Sequence, residues 1–308
     1  MSYTLRLACA CLASFFLVHV AASLLILALS SVATRLAVRM RASSGALLLF
    51  GLRLLPLTLS TLTVLLFCIP SYLRFEQDAS ESIGYPCLAF AAAGAALIAA
   101  AAMRFVWALF ASHRIAQDEA SPRIGIRSPF TLVGFLHPRL IVSHRARQAL
   151  SQSQMEAALL HEEAHRQSYD NLKRLAMVSA PGVLPLHPTF RSLEQQWARM
   201  AEWAADDAAV ASEPMRAIAL AEALVRVARL STRSEQIPVV SSLVACKDDL
   251  GERVQRLLGP TAQATPTTGH SRLRTAAVAT AAAIITLLAT HQREVLSLVH
   301  SAMEFLVH

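Results

Sequence analysis

Charge is scarce in this chain. Of 308 residues only 16% are charged, while 55% are hydrophobic and the mean hydropathy is +0.45. That balance is too apolar for an ordinary soluble enzyme and points to a membrane protein with a soluble part. Cysteine is scarce as well. The five residues Cys9, Cys11, Cys68, Cys87 and Cys246 include no Cys-x-x-Cys pair, which argues against a thiolate zinc site. Cys9, Cys11 and Cys68 lie in apolar runs and read as packing residues. No basic patch interleaved with aromatics occurs, so the net charge of +7 does not read as a surface for nucleic acid. In a membrane protein, excess Lys and Arg mark the cytoplasmic flanks of spans. The first apolar run also lacks a basic leader and a clear cleavage site, and it is too long for a signal peptide.

Long apolar runs are what the chain does have. Residues 8–33, 45–69 and 87–110 each reach the roughly 20 residues that a bilayer crossing needs. A shorter Ala-rich run at 275–290 is expected to form a fourth span. Pro70 is expected to end the second, and Arg53 within it to snorkel towards the basic end. The third is rich in Ala and Gly, which suits close packing inside a bundle. Arg35, Arg39 and Arg41 place the first connector in the cytoplasm, and the acidic 71–86 connector then lies outside. His113 and Arg114 return the chain to the cytoplasm. The expected organisation is therefore three spans in 1–112, a cytoplasmic domain in 113–272, and a final span with a short tail in 273–308. Cys68 and Cys87 bracket the outer connector, and a disulfide between them is one reading. Simple packing residues are the other.

The soluble segment carries the chemistry. Ser112 to Pro122 reads as a linker, and 123–143 as two or three short strands turning near Phe135-Leu136-His137-Pro138. An edge strand there could pair with an extended peptide. Ser151 and Gln154 then open a helix as an N-cap and a weak capping box, and it is expected to run to about Val178. This helix holds His161-Glu162-Glu163-Ala164-His165. Residues four apart on a helix share a face, so both imidazoles can aim at one zinc ion. Glu162 lies where a carboxylate could take the proton of a water that the metal polarises. A second helix, about 189–212, places Glu202 and Asp206 four apart among apolar neighbours. Glu202 can supply a third ligand, and Asp206 can orient a ligand histidine. Helices at about 215–230 and 243–258 follow.

Taken in order, these pieces resemble the BlaR/MecR-type membrane metallopeptidases, the antirepressor peptidases of bacterial beta-lactam sensing. The resemblance rests on Ser128-Pro129-Phe130 with Gly134 and Pro138-Arg139-Leu140-Ile141-Val142, and on the zinc helix with Asp170-Asn171. It rests further on Leu186-His187-Pro188, Trp197, Glu202-Trp203-Ala204-Ala205-Asp206 and Arg253-Val254-Gln255-Arg256-Leu257-Leu258. It implies a mainly α membrane protein, with four transmembrane helices. A cytoplasmic, gluzincin-like zinc protease domain, helical with a small β-hairpin or sheet, would lie between the third and fourth of them. It implies Zn2+ held by His161, His165 and Glu202, Glu162 as general base, and Asp206 behind a ligand. The implied setting is the bacterial inner membrane, with a protein or peptide substrate such as a transcriptional repressor and no direct contact with nucleic acid. The beta-lactam receptors carry a penicillin-binding domain after the last span. Here only 18 residues follow Thr290, without Ser-x-x-Lys, which argues against beta-lactam sensing by this chain. The alternatives are an HtpX-like quality-control protease and a signalling scaffold whose metal is idle. His187 and Arg191 are the positional candidates for stabilising the oxyanion.

Overall fold

The computed structural model describes residues 3–75, 83–120, 129–135, 138–181, 188–230, 247–259 and 291–307. Three helical stretches in it are long and apolar enough to cross a membrane: Tyr3–Arg39, Ala42–Phe75 and Tyr85–Arg114. Helices α1 (Tyr3–Arg39) and α2 (Ala42–Thr63) form a hairpin. A π-helical turn at Val64–Cys68 then leads into α3 (Ile69–Phe75), so Pro70 does not end the span. The wider turn shifts the hydrogen-bond register just ahead of a ring that lacks an N–H, and the helix absorbs the proline there. Helix α4 (Tyr85–Ala120) likewise runs through the expected linker, because no Gly or Pro falls between Gly94 and Pro122.

Glycine sets how closely these helices pack. A Cβ on Gly94 would stand 2.4 Å from the Leu12 carbonyl oxygen, and one on Gly45 2.6 Å from that of Ala37. Backbones this close admit no side chain, as small-residue packing in lipid requires. Away from the seams, Leu24, Leu25, Leu29, Val32 and Leu36 are exposed, an apolar surface suited to acyl chains. Cys68 and Cys87 are free thiols buried in separate clusters, Cys68 with Ala10 and Tyr72 and Cys87 with Cys9 and Ala13. They pack, and they are not bridged.

Strands β1 (Phe130–Val133) and β2 (Arg139–Val142) form an antiparallel hairpin, with Phe130 opposite Val142. Then come a short α5 (His144–Ala149), which the sequence reading did not anticipate, and α6 (Gln152–Gln167). Ser151 and Gln154 close a complete capping box at the start of α6. After α7 (Asp170–Ser179) follow α8 (Pro188–Val210), α9 (Pro214–Leu230) and α10 (Lys247–Leu258). The expected fourth span at 275–290 lies outside the described residues, as does Cys246. Beyond it, α11 (Gln292–Val307) lays Met303 against Ala10, Cys68 and Tyr72, while the Leu296 carbonyl accepts from Ser71 at 2.7 Å.

Two apolar cores meet at α8. One gathers Phe130, Ala157, Ala158, Leu220, Leu224 and Leu257 from the hairpin, α6, α9 and α10, with Ala209 and Val210 at the end of α8. The other joins Leu193, Trp197, Met200 and Ala201 of α8 to Ile26, Ala37, Ala46 and Leu49 of the first two spans. Arg53 belongs to this second seam. It does not snorkel: it is buried, and it donates to Glu194 Oε1 at 2.7 Å and to the carbonyls of Met177 at 3.0 Å and Ala180 at 3.1 Å. Those carbonyls lie at the end of α7, where a helix has no partners of its own for them, and a guanidinium fork supplies the donors.

Candidate metal centre

The buried face of α6 carries Gln154, Ala157, Ala158, His161, Glu162 and His165. Helical spacing turns both imidazoles to one side. The helix does not continue to Val178. It stops at Gln167, and Tyr169 takes a left-handed conformation with φ of 54° before α7 begins. On a straight helix, a residue five positions after His165 would point about 140° away from it. The break brings Asp170 back, and its Oδ2 lies 2.7 Å from His165 Nδ1. Asp206 does the same for the other ring, with its Oδ1 3.0 Å from His161 Nδ1.

With a carboxylate behind each Nδ1, the Nε2 atoms are left facing one another, 3.1 Å apart. Glu202 completes the triangle, with Oε2 3.5 Å from His161 Nε2 and Oε1 3.7 Å from His165 Nε2. His161, His165 and Glu202 are all buried, and one ligand atom from each lies within 4.8 Å of the others. Two imidazoles whose far nitrogens are engaged by carboxylates present lone pairs to a single point, and a carboxylate faces the same point. A cation resolves that arrangement, so the donor set fits a zinc-type metal.

Arg253 of α10 holds the carboxylate side together. Its Nε and Nη2 donate to Asp206 at 2.8 and 2.7 Å, and its Nη1 lies 3.0 Å from Glu202 Oε2. Burial would push Asp206 up, but the Arg253 charge and the contact with His161 hold it at about 2. Burial likewise opposes ionisation of Glu202, and Arg253 and His165 still hold it well below the carboxylate range. Glu162 behaves differently. It is buried, neither carboxylate oxygen has a hydrogen-bond partner among the described residues, and burial pushes its carboxyl up against the pull of His161, His165 and Arg253. An unpartnered carboxylate with a raised pKa beside a metal-type donor set is equipped to take and return a proton.

The structure thus brings His161, Glu162, His165, Glu202 and Asp206 together, while the two oxyanion candidates are not placed with them. His187 lies outside the described residues, and Arg191 is exposed at the start of α8. Sequence reasoning missed the roles of Asp170 and Arg253, and missed Arg174, whose Nη2 is 3.8 Å from Glu202 Oε1. A signal existed: Arg253 falls at a core position of the Leu250–Val254–Leu257 stripe, where a charge demands a buried partner. The hairpin also differs from the peptide-pairing expectation on one side. The Ser143 N–H donates to the Pro129 carbonyl, and with the observed register this turns the Leu132 carbonyl to the outer edge of β1. Asn171 Nδ2 donates to that carbonyl at 2.8 Å and to that of Gly134 at 3.0 Å, so β1 offers a peptide an edge with two acceptors already used.

Two outcomes test the metal site. His161→Ala and His165→Ala should lose most bound zinc on metal analysis of the purified chain, and Glu202→Ala should bind more weakly through two imidazoles. Full zinc in Glu202→Ala would remove that residue from the ligand set. The second outcome concerns pH. Burial pulls the His165 imidazole down, yet Glu202 and Asp170 outweigh it and push it up to about 10 in the metal-free chain. The stabilisation this proton gives the metal-free fold is full below the ordinary 6.5 and is lost as pH rises through about 10. Zinc needs the neutral ring, so binding expels the proton. Zinc affinity, read by competition with a chromophoric chelator, should rise about tenfold per pH unit per proton released across that window. A flat profile would show that the histidine is already neutral.

The architecture and the donor set together define a class: a mainly helical protein with membrane-type spans and a buried His-His-Glu group able to hold a metal ion. Comparisons with protein-family models, with curated proteins and with solved structures find no match to this chain.

Proposed function

We propose that this chain is an integral-membrane zinc endopeptidase of BlaR/MecR type, cutting a cytoplasmic regulator or repressor as part of signal transduction. The observation that carries the proposal is Glu162, a buried carboxylate without a partner among the described residues, adjacent in sequence to one of three residues able to hold a metal. His161, His165 and Glu202 would hold the zinc, which when bound would supply Lewis-acid chemistry to a scissile carbonyl. Asp206 and Asp170 fix the two imidazoles, and Arg253 fixes Glu202 and Asp206. Glu162 accepts one proton from water as the water oxygen bonds to the carbonyl carbon. The same carboxyl returns that proton to the amide nitrogen as the C–N bond breaks, so water is divided between an acid and an amine. A cytoplasmic orientation in the inner membrane is supported by Arg35, Arg39 and Arg41, which favour that side for the connector of the α1–α2 hairpin, and by the packing of α8 against that hairpin.

The test is hydrolysis by the chain reconstituted in vesicles and loaded with zinc. New peptide termini, read by mass spectrometry on a mixture of unstructured peptides, should appear, vanish on chelation and return with zinc. A zinc-replete, folded chain that generates no termini would instead be a signalling scaffold with a structural metal.

A further inference from the structure

Arg174 stands beside the centre with two of its donor atoms unmet among the described residues. It stands one helical turn after Asp170 on α7, so both side chains leave the same face of that helix towards the centre. Its side chain is 12% exposed. Its Nε and Nη2 are buried with no hydrogen-bond partner among the described residues, and its guanidinium lies over the Trp197 ring at 5.6 Å. The nearest carboxylate is that of Glu202, 3.8 Å from Nη2 and beyond hydrogen-bonding distance. Arg253 answers the other oxygen, 3.0 Å from Oε2, and Oε1 itself stays without a hydrogen-bond partner among the described residues, so Arg174 as placed does not satisfy it. Asp170 is engaged by His165 at 2.7 Å and Lys173 at 3.1 Å. A buried guanidinium with N–H groups unmet is costly to keep, and a missing ligand is the usual reason for one beside a site.

We propose that Arg174 is a substrate-binding residue, and that its free N–H groups receive an anionic oxygen of the substrate at the metal centre. Its Nη2 lies 3.8 Å from an oxygen of Glu202, one of the three residues that would hold the metal, so an anion bound beside that residue would come within its reach. The guanidinium is planar and permanently charged, a fork matched to two oxygens on one atom. Trp197, itself buried, backs the guanidinium and keeps the fork in place. The oxygen has two possible origins of one chemistry: the scissile carbonyl as it becomes tetrahedral and negative, or a carboxylate next to the cut. Arg174 thus takes the role for which position alone had suggested His187 or Arg191. This assignment rests on the peptidase reading, but its test does not need turnover.

The full chain, loaded with Co(II) in place of zinc, is titrated with dimethylphosphinate and, separately, with acetate, following the visible cobalt bands. In the Arg174→Met variant the dissociation constant should rise about 10-fold or more, with cobalt content unchanged, as for loss of a hydrogen bond to a charged group. Arg174→Lys should recover part of the affinity as a point charge. A larger effect on the phosphinate assigns the developing oxyanion, and a larger effect on acetate assigns a carboxylate. The unfolding midpoint separates function from structure. Met keeps the stem over Trp197 and removes an unmet buried charge, so the variant should be as stable as the parent or more so. A lower midpoint with unchanged anion affinity would make Arg174 structural and overturn the proposal. So would a parent chain that binds neither anion. A parent that binds both anions through Arg174 yet cuts no peptide would count against the peptidase reading alone.

Discussion

On the proposed peptidase reading, Glu162→Gln should reduce peptide hydrolysis by the zinc-loaded chain about 10²- to 10⁴-fold while zinc content stays at the parent level. The amide has the shape of the carboxylate but cannot take a proton, and it leaves His161, His165 and Glu202 in place. Both Glu162 oxygens are buried without hydrogen-bond partners among the described residues, so no hydrogen bond is lost with the charge, only its attraction to His161, His165 and Arg253. The unfolding midpoint should therefore hold or rise, because an unmet buried carboxylate is removed. The pH profile adds a second signature. Burial raises the Glu162 carboxyl in the metal-free chain. In the zinc-loaded parent, the acid limb that reports loss of the base form should be missing from the residual activity of Glu162→Gln. Undiminished hydrolysis in the variant would take the proton-transfer role away from this residue.

Arg253→Met should destabilise the metal-free chain by about 3–5 kcal/mol, the usual effect of removing one partner from a buried ion pair. Arg253 donates twice to Asp206 and lies 3.0 Å from Glu202, and all three side chains are buried. Without this guanidinium, two carboxylates face one another across the centre with the histidines, and Arg174 at 3.8 Å from Glu202, left to neutralise them. A bound divalent cation replaces much of the lost charge, so the loss should be clearly smaller in the zinc-loaded chain. Denaturant unfolding with and without metal measures both values. Equal losses in the two forms would mean that Arg253 acts through packing and not through the charge it offers Glu202 and Asp206.

The parts of the site that a sequence displays are those set by helical periodicity. Two histidines four apart, and Glu202 four before Asp206, need only a helix to converge, and each sits in an apolar stripe that turns it inward. Ser151 and Gln154 announced the start of α6 for the same reason, since a capping box is local chemistry. The α6–α7 break was not legible. Tyr169 is no usual left-handed residue, and it takes that conformation where tertiary contacts return Asp170 to His165. Arg53 misled for a different reason. An arginine near the end of an apolar run is ordinarily free to reach water, and nothing local reveals that the carbonyls of Met177 and Ala180, more than a hundred residues away, will be waiting for it. Arg253 and Arg174 each occupy a core position of a short helix, a conflict between charge and pattern that sequence alone can flag but not resolve.

The seam at Arg53 has a bearing on how deep the metal domain is set. Gly45 lies close to Met200, two residues from Glu202, near the tip of the α1–α2 hairpin. Arg53 is eight residues further along α2, about 12 Å away at helical rise, and there it grips the end of α7. His19, whose Nε2 is 3.2 Å from the Pro181 carbonyl, lies twenty residues back along α1 from Arg39, about 30 Å, which is the thickness of a bilayer's hydrocarbon. The domain is thus keyed into its spans over much of their length, unlike a lobe hung from a stalk. A fragment cut free at residue 113 would bare Met177, Phe190, Leu193, Trp197 and Met200 together. A seam of this depth predicts that metal affinity of the full chain responds to the acyl length of the vesicles that hold it.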